Sequence, residues 1–501
     1  MDIRKAKEQI RNAVRAYLTK DEFGNYVIPV EKQRPVLLIG PPGIGKTAIM
    51  EQLASELGIG LISYSMTHHT RQSAIGLPFI SRKSFGGEEC DVTEYTMSEI
   101  IASVYDLMET TGIRQGILFL DEINCVSETL SPLMMQFLQY KVFGGHRLPE
   151  GWVVVTAGNP PEYNDSAREF DVVTLDRVKK IDVEPDFEAW KEYADSARIH
   201  PAVISFLQSK RKCFYQVETT VSGRSIVTPR GWEDLSKMLQ LYEQNGIDAD
   251  ENLIAQYLQN AVTAKEFSVY LALFNKDKEE YPVEAILGGE ASDDITGRAS
   301  QAGFDEVYTL IGLLLSAIKT EIHECIEEQR VLESVRLCVR DFKAAASDAS
   351  SPASEMQGLI QRIESGREAG LRAHSLTREE SDRMLRTISC LYELSEGITA
   401  DTDYDASFDI IRKGYGAKVA ALNEKASAIR GRLDNLFDFA EKCWGEEKEM
   451  LMIVTELTAD PGSVSFISSY GSDGYYKHNK NLLFDERSAA IEQQIKELEL
   501  E

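Results

Sequence analysis

Val36-Leu37-Leu38-Ile39-Gly40-Pro41-Pro42-Gly43-Ile44-Gly45-Lys46-Thr47 is an apolar run that breaks into a glycine-rich turn and ends in a lysine and a threonine. Its spacing, G-x-x-x-x-G-K-T, is that of a phosphate-binding loop. Gly40, Gly43 and Gly45 permit a tight turn in which successive backbone N–H groups point inward at a phosphate, and the helix that follows adds its positive dipole end. Strand-like residues precede the loop, and Ile49, Leu53 and Leu57 recur behind it at helical spacing. The segment Gly40 to Ala48, with Pro41, Pro42 and Ile44 between the glycines, is therefore the expected cofactor-binding stretch. Lys46 is placed to reach the β- and γ-phosphates of a nucleotide, and Thr47 to hold Mg²⁺.

The next decisive stretch is Gly116-Ile117-Leu118-Phe119-Leu120-Asp121-Glu122, an apolar run ending in two carboxylates about 75 residues beyond the loop lysine. Such a run suits a strand buried on both faces, and ligands of open α/β sheets sit at the carboxyl ends of their strands. Asp121 is expected to support the Mg²⁺ shell through water. Glu122 is expected to orient or deprotonate the water that attacks the γ-phosphate. A third apolar strand, Trp152 to Ala157, runs into Gly158-Asn159-Pro160, and Asn159 carries a side chain able to hydrogen-bond that water or the γ-phosphate. Leu61 to Met66 and Val178 to Val183 read as further strands. The stretch from His68 to Tyr95 has little periodicity and reads as a long functional loop. The pair His68-His69 lacks a third ligand at metal spacing.

Composition bounds the alternatives. The 501 residues suffice for two to four domains, and 81 acidic against 54 basic residues give a net charge of −27. Nucleic-acid partners are disfavoured, because phosphate contacts need clustered Lys and Arg. The seven cysteines show no C-x-x-C spacing and read as reduced, buried small residues. The N-terminus is charged and amphipathic, and the longest apolar stretch, around Leu310 to Ile318, is too short to span a bilayer, so a cytoplasmic chain without a membrane span is expected. Residues 3–18 form an expected helix, and Asn25 to Val30 suit either packing against a nucleotide base or a strand or lid packed on the sheet.

GPPGIGKT, ILFLDE, TAGNP and LDR, in this order, resemble the AAA+ ATPases, and the LDR box resembles the MoxR branch. The resemblance covers about residues 25–275. It implies an α/β fold, a P-loop NTPase αβα sandwich with a parallel sheet, followed by an all-α lid. By it, Asn159 is the sensor-1 residue and Arg177 the finger that reaches a neighbouring subunit's γ-phosphate. Gly158 and Val178 depart from the pattern of the branch, which leaves Arg168 as a competing finger. Arg230, in the first turn of a helix capped by Thr228, resembles the sensor-2 arginine that contacts the nucleotide in cis. The resemblance further implies ATP and Mg²⁺, a homo-oligomer of hexameric type, and a protein partner carrying a von Willebrand factor A-type domain. A guanine-specific N-K-x-D box does not follow at the proper place, which also favours ATP.

The division expected is a nucleotide-binding core over 1–185, a helical lid over 186–286 and a mostly helical extension over 287–501. Leu287 to Asp294 and Ser347 to Ser354 read as linkers. Val307, Ile311, Leu314, Ile318, Ile322 and Ile326 lie on one helical face. Val419, Leu422, Ala426, Ile429, Leu433, Leu436, Ala440 and Cys443 step by three and four, the mark of a coiled-coil seam. A hairpin over 304–445 or pairing with a partner would cover it. A strand pair is expected at about 451–470 and a closing acidic helix at Glu486 to Leu500. The function expected is an ATP-hydrolysing ring acting as a chaperone-like remodeller of a partner protein. A slow nucleotide-dependent assembly switch is the alternative, and a DNA-acting motor a third.

Overall fold

The computed structural model describes residues 1–164, 166–220, 223–344, 351–399, 402–446 and 448–480. The chain divides into two units, Met1–Ala189 with Ile360–Ile388, and Trp190–Leu359 with Ser389–Glu501.

The first unit is built on a five-stranded parallel sheet flanked by helices. Its strands are β1 (Val36–Ile39), β2 (Gly60–Ser65), β5 (Gly116–Asp121), β8 (Trp152–Gly158) and β9 (Lys179–Asp182), after a two-stranded hairpin of β3 (Pro78–Phe85) with β4 (Glu88–Tyr95) and another of β6 (Val142–Phe143) with β7 (His146–Arg147). The sheet order is β2-β5-β8-β1-β9. β8 is buried along its whole length and β5 up to Asp121, as expected of parallel strands covered on both faces. The covering helices are α1 (Ile3–Tyr17), α2 (Ala48–Leu57), α3 (Arg71–Ile75), α4 (Glu99–Thr111), α5 (Ser131–Tyr140) and the short α6 (Val172–Leu175). Gly116 is needed here for packing, since a Cβ would stand 2.6 Å from the Trp152 ring.

Register decides where the polar ends meet. Ile39 lies opposite Gly158 and Asp182, and Ser65 opposite Asp121, so the residues that follow β1, β2, β5 and β8 emerge along one edge. Tyr26 is at the other edge: its hydroxyl accepts from Gln115 Nε2 at 3.2 Å, just before β5, and it sits beside Gly151, just before β8. Of the two readings of Asn25 to Val30, packing on the sheet is the one that places Tyr26 there.

The stretch from His68 to Tyr95, expected to be a loop, is instead α3 followed by the β3–β4 hairpin. Gly86 and Gly87 both have positive φ (63° and 98°), the requirement of a two-residue type I′ turn. The hairpin is exposed on both faces, which removes the alternation that would have marked its strands. Cys90 on β4 is exposed as well, unlike the buried Cys213, Cys325 and Cys390; all seven cysteines are free thiols.

The second unit is mostly helical. Its helices begin with α7 (Phe187–Ser196), α8 (Pro201–Ser209), α9 (Pro229–Gln244), α10 (Glu251–Tyr257), α11 (Ala261–Glu280), α12 (Val283–Leu287) and α13 (Asp293–Gln301). Between α8 and α9 a small hairpin, β10 (Gln216–Thr220) with β11 (Gly223–Val227), interrupts what reads from the sequence as helix alone. Two 41-residue helices, α14 (Phe304–Ala344) and α17 (Tyr404–Trp444), run antiparallel: Tyr415 bonds the carbonyl of Leu332, Lys425 pairs with Glu328, and Arg432 pairs with Glu321. The expected seam residues Leu422, Ala426, Ile429, Leu433, Leu436 and Ala440 are all buried. Between them, α15 (Pro352–Arg372) and α16 (Arg378–Leu394) carry residues 360–388 into the first unit. There Ala373 is fully buried and its carbonyl accepts from the Leu61 amide at 2.9 Å, on the edge strand β2.

The strand pair expected at about 451–470 is absent. Those residues form α18 (Lys448–Ala459) and α19 (Pro461–Tyr470), with Met450, Ile453, Val454 and Leu457 buried at helical spacing and Asp460 capping α19 ahead of Pro461. The β-branched content suggested strands, and the period of three and four decides for helix. Glu486 to Leu500 lies outside the described residues.

Asp460 is 1% exposed and accepts from His323 Nε2 at 2.9 Å and from the Ser463 amide at 2.7 Å. Burial by itself raises its carboxyl, but the bonds to His323 and Ser463 outweigh burial and hold it at about 2. A carboxyl depressed below its unfolded value adds stability above that value and loses it as pH falls towards the folded pKa. The stability advantage of the wild type over Asp460→Asn, read from the urea unfolding of the second unit, should therefore shrink as pH falls between about 4 and 2.

Candidate functional site

The loop after β1 turns on three glycines with separate reasons. Gly43 and Gly45 have φ of 77° and 92°, which glycine adopts without strain. A Cβ at Gly40 would lie 2.6 Å from the Val183 carbonyl. Lys46, 8% exposed, donates from Nζ to the carbonyls of Gly40 (2.7 Å) and Pro41 (2.8 Å) and to Asn159 Oδ1 (2.9 Å). Thr47 donates from Oγ1 to Asp121 Oδ2 at 3.1 Å. The loop lysine thus bonds the residue after β8, and the adjacent threonine bonds the β5 aspartate. Pro41, Pro42 and Ile44 complete the loop, and Ala48 begins α2.

Glu122 holds a left-handed backbone (φ 55°, ψ 35°), a conformation uncommon outside glycine and one that recurs at functional sites. Its carboxylate accepts from Ser65 Oγ at 2.8 Å and from Thr67 Oγ1 at 3.0 Å. Those hydroxyls come from the end of β2 and the turn after it, and sequence reasoning did not select them. Their signal was positional: a polar residue ending a strand beside the one that ends in Asp121.

Asn124 was missed too. Its Nδ2 donates to the carbonyls of Asn159 (2.7 Å) and Arg168 (3.3 Å), while its own carbonyl accepts from the Arg168 amide at 3.0 Å. One buried amide therefore ties the turn after β5 to the turn after β8 and to the segment carrying Arg168. Gly158 follows from this: a Cβ there would stand 2.4 Å from Asn124 Oδ1. The departure noted at Gly158 has a steric cause. Val178, the other departure, is a buried member of the sheet's core.

The arginines are placed differently. Arg168 pairs through Nη2 with Glu128 Oε1 at 2.9 Å, both side chains exposed. Arg177 is exposed beyond α6; Asp171, which caps that helix, is held below the ordinary carboxylate range by Thr174, with the Arg177 charge a smaller contribution. Arg230 is the second residue of α9 and belongs to the second unit. Cys125, beside the carboxylates, is pushed up by burial and then by the charges of Glu122 and Asp121, so it stays a thiol.

The residues fit a nucleoside triphosphate with its divalent ion: a loop turned by glycines at positive φ, a buried ammonium that donates to neutral oxygens, and a hydroxyl beside a carboxylate. Fold and site together define a P-loop NTPase-like fold of AAA type. More particularly, residues 36–171 match the family described as ATPase family associated with various cellular activities (AAA). No curated protein matches the chain. Among solved structures, two from Thermotoga maritima resemble it: a lysine-to-arginine mutant of RuvB, at 18% identity over 52% of this chain and 69% of that one with a TM-score of 0.29, and RuvB described as a Holliday junction branch migration motor, at the same identity and coverage with a TM-score of 0.28. Likeness at that level carries no argument about substrate or partner.

Gly158→Ala should cost about 1–3 kcal/mol of stability by crowding Asn124. Asn124→Ala should cost a similar amount, about 1–3 kcal/mol, by leaving the Asn159 and Arg168 carbonyls without their donor. The double variant should be less destabilised than the sum, because truncating the side chain at position 124 removes the atom that the added methyl at position 158 meets. Thermal unfolding of the four proteins checks this, and strict additivity would refute the steric account.

Proposed function

We propose that this chain hydrolyses ATP with Mg²⁺ and works as an oligomeric, chaperone-like remodeller of a partner protein, in the manner of the MoxR branch of the AAA+ ATPases. The observation that supports the chemistry is the bonding of Lys46 to Asn159 and of the adjacent Thr47 to Asp121, beside Glu122. Bound ATP with its metal ion supplies the phosphoanhydride bond and the charge to be neutralised. The loop amides and Lys46 bind the phosphates, Thr47 and Asp121 hold the ion, Glu122 orients and deprotonates the attacking water, and Asn159 positions it. Arg177 acts from a neighbouring subunit, with Arg168 as the competing candidate, and Arg230 ties the helical lid to nucleotide state. The ring, hexameric in this reading, and a partner with a von Willebrand factor A-type domain rest on the motif resemblance.

The slow assembly switch remains the second reading, because Ser65 and Thr67 occupy the Glu122 carboxylate. Both hydroxyls donate to the same oxygen, Oε2, and so fix the orientation of the carboxylate; a glutamate fixed away from the attacking water lowers basal turnover. A Ser65→Ala, Thr67→Ala double variant is expected to hydrolyse ATP several-fold faster than the parent without a change in ATP affinity. Unchanged or lower turnover would mean that the hydroxyls support the active geometry instead.

Turnover per subunit should climb with protein concentration, since an arginine supplied in trans is worth roughly 10³- to 10⁵-fold in rate. Glu122→Gln and Arg177→Ala should both lose turnover and keep ATP binding. Flat specific activity, with Arg177→Ala equal to wild type, would sink the shared site; loss on Arg168→Ala alone would move the finger there. The DNA-acting alternative is tested by duplex binding at low salt, where a chain of net charge −27 should show none.

A further inference from the structure

The long helices α14 and α17 bring together the two ends of an insertion. The rings of Phe342, near the end of α14, and Tyr404, the first residue of α17, have their centres 5.8 Å apart. A connection of a few residues could join ends so placed. The chain between them instead builds α15 and α16, and of the residues beyond Ala189 it is Ile360–Ile388, most of both helices and the turn between them, that belong to the first unit. Chain continuity does not require that detour.

The turn meets the first unit at one corner, the junction of α2 with β2. Gly58 ends α2 with a left-handed φ of 62°, and the buried Ile59 returns its amide to the Ala54 carbonyl at 3.0 Å. Before the corner, Ser55 Oγ donates to Glu380 Oε2. After it, the Leu61 amide donates to the Ala373 carbonyl at 2.9 Å. Because β2 is an edge strand, this bond closes an amide that faces away from the sheet.

Glu380 also closes a capping box at the start of α16. Its Oε2 accepts from the Thr377 amide at 2.8 Å and from Thr377 Oγ1 at 3.0 Å, and its own amide donates to Thr377 Oγ1 at 3.2 Å. Burial by itself raises its carboxyl, but the bonds from Ser55 and Thr377 outweigh burial and hold it below its ordinary value, so the acceptor is anionic. The carboxylate that starts α16 is therefore the one that holds α2.

Both elements that meet at this corner lead to the candidate site. α2 runs back to Thr47 and Lys46, and β2 runs forward to Ser65, which bonds Glu122. With 10 residues α2 spans about 15 Å, and a helix of that length carries a shift at one end to the other as a rigid element.

We propose that the α15–α16 turn is a clamp that regulates the nucleotide site: by holding the α2–β2 corner through Glu380 and Ala373 it keeps Lys46 and Thr47 placed for nucleotide, and its release weakens nucleotide binding. Such a clamp acts on the ATP site proposed above and rests on that reading.

The probe is a non-hydrolysable ATP analogue with Mg²⁺, titrated calorimetrically into the full chain. Ser55→Ala removes the donor, places a better helix former in α2 and leaves the capping box whole. Its Tm should stay near that of the parent while its affinity for the analogue falls roughly fivefold or more. Ser55→Thr, which keeps a hydroxyl, should retain the parental affinity. Glu380→Gln keeps a side chain that can cap α16 and should match Ser55→Ala, and the double variant should bind no more weakly than either single one. Coupling is reciprocal, so the analogue should slow hydrogen exchange of the Leu61 amide in the parent and slow it less in Ser55→Ala. Equal affinity of parent and Ser55→Ala, additive losses in the double variant, or a Leu61 amide whose exchange the analogue leaves unmoved would overturn the clamp and leave the ATP site standing. No saturable binding to the parent would overturn the ATP reading and the clamp with it.

Discussion

The parallel register of β1 between β8 and β9 is the constraint on which the site depends. With Ile39 opposite both Gly158 and Asp182, and Ser65 opposite Asp121, the five strands end within one residue of one another. Lys46, Thr47, Asp121, Glu122, Asn124 and Asn159 each lie at such an end or on the loop that it feeds. Burial of β5 and β8 on both faces makes that register costly to change, because a shift would break close packing on both sides at once, such as that of Gly116 against Trp152. The site is thus located by the hydrophobic core before any polar contact forms.

Polar contacts then fix the side chains. Asn124 is the clearest case, since a single buried amide sets the distance between the turn after β5 and the turn after β8. Without it, Asn159 would be free to drift relative to Asp121 and Glu122, which belong to a different strand. The glycine at 158 is the counterpart of this bond, supplying room where the bond demands close approach. The two residues form one steric unit, although 34 positions separate them in the chain.

Much of this was legible in the sequence for a definite reason. The loop Gly40 to Thr47 and the run Gly116 to Glu122 each carry strand, turn and chemistry within a dozen residues, so local pattern suffices. The long helices α14 and α17 were equally readable, because their buried faces repeat at helical spacing over ten turns or so. What escaped was either exposed or non-local. The β3–β4 hairpin buries neither face and leaves no alternation; Ser65, Thr67 and Asn124 gain meaning only from partners on other strands. The return of residues 360–388 to the edge of β2 is of the same kind, since Ala373 is an ordinary alanine until its carbonyl meets Leu61.

Buried cations separate the parts of the molecule by purpose. Lys141, at the end of α5, is 1% exposed and has the carbonyl of Leu138 as its bonded acceptor; burial alone brings its amine down to about 8. It is a lysine tolerated by a core. Lys46 is nearly as buried, yet its ammonium meets three oxygens at 2.7–2.9 Å, two loop carbonyls and the Asn159 amide. All three are neutral acceptors, and an ammonium bonds an anionic oxygen roughly twice as strongly as a neutral one. The carbonyls keep the charge from being stranded in the interior, and a phosphate oxygen offers it a better partner at the same place. In the function proposed above, exchange of Lys46 from these neutral oxygens to phosphate would need no rearrangement of the sheet, and if Asn159 gave up its own bond in that exchange, the residue after β8 would be freed by the arrival of the anion.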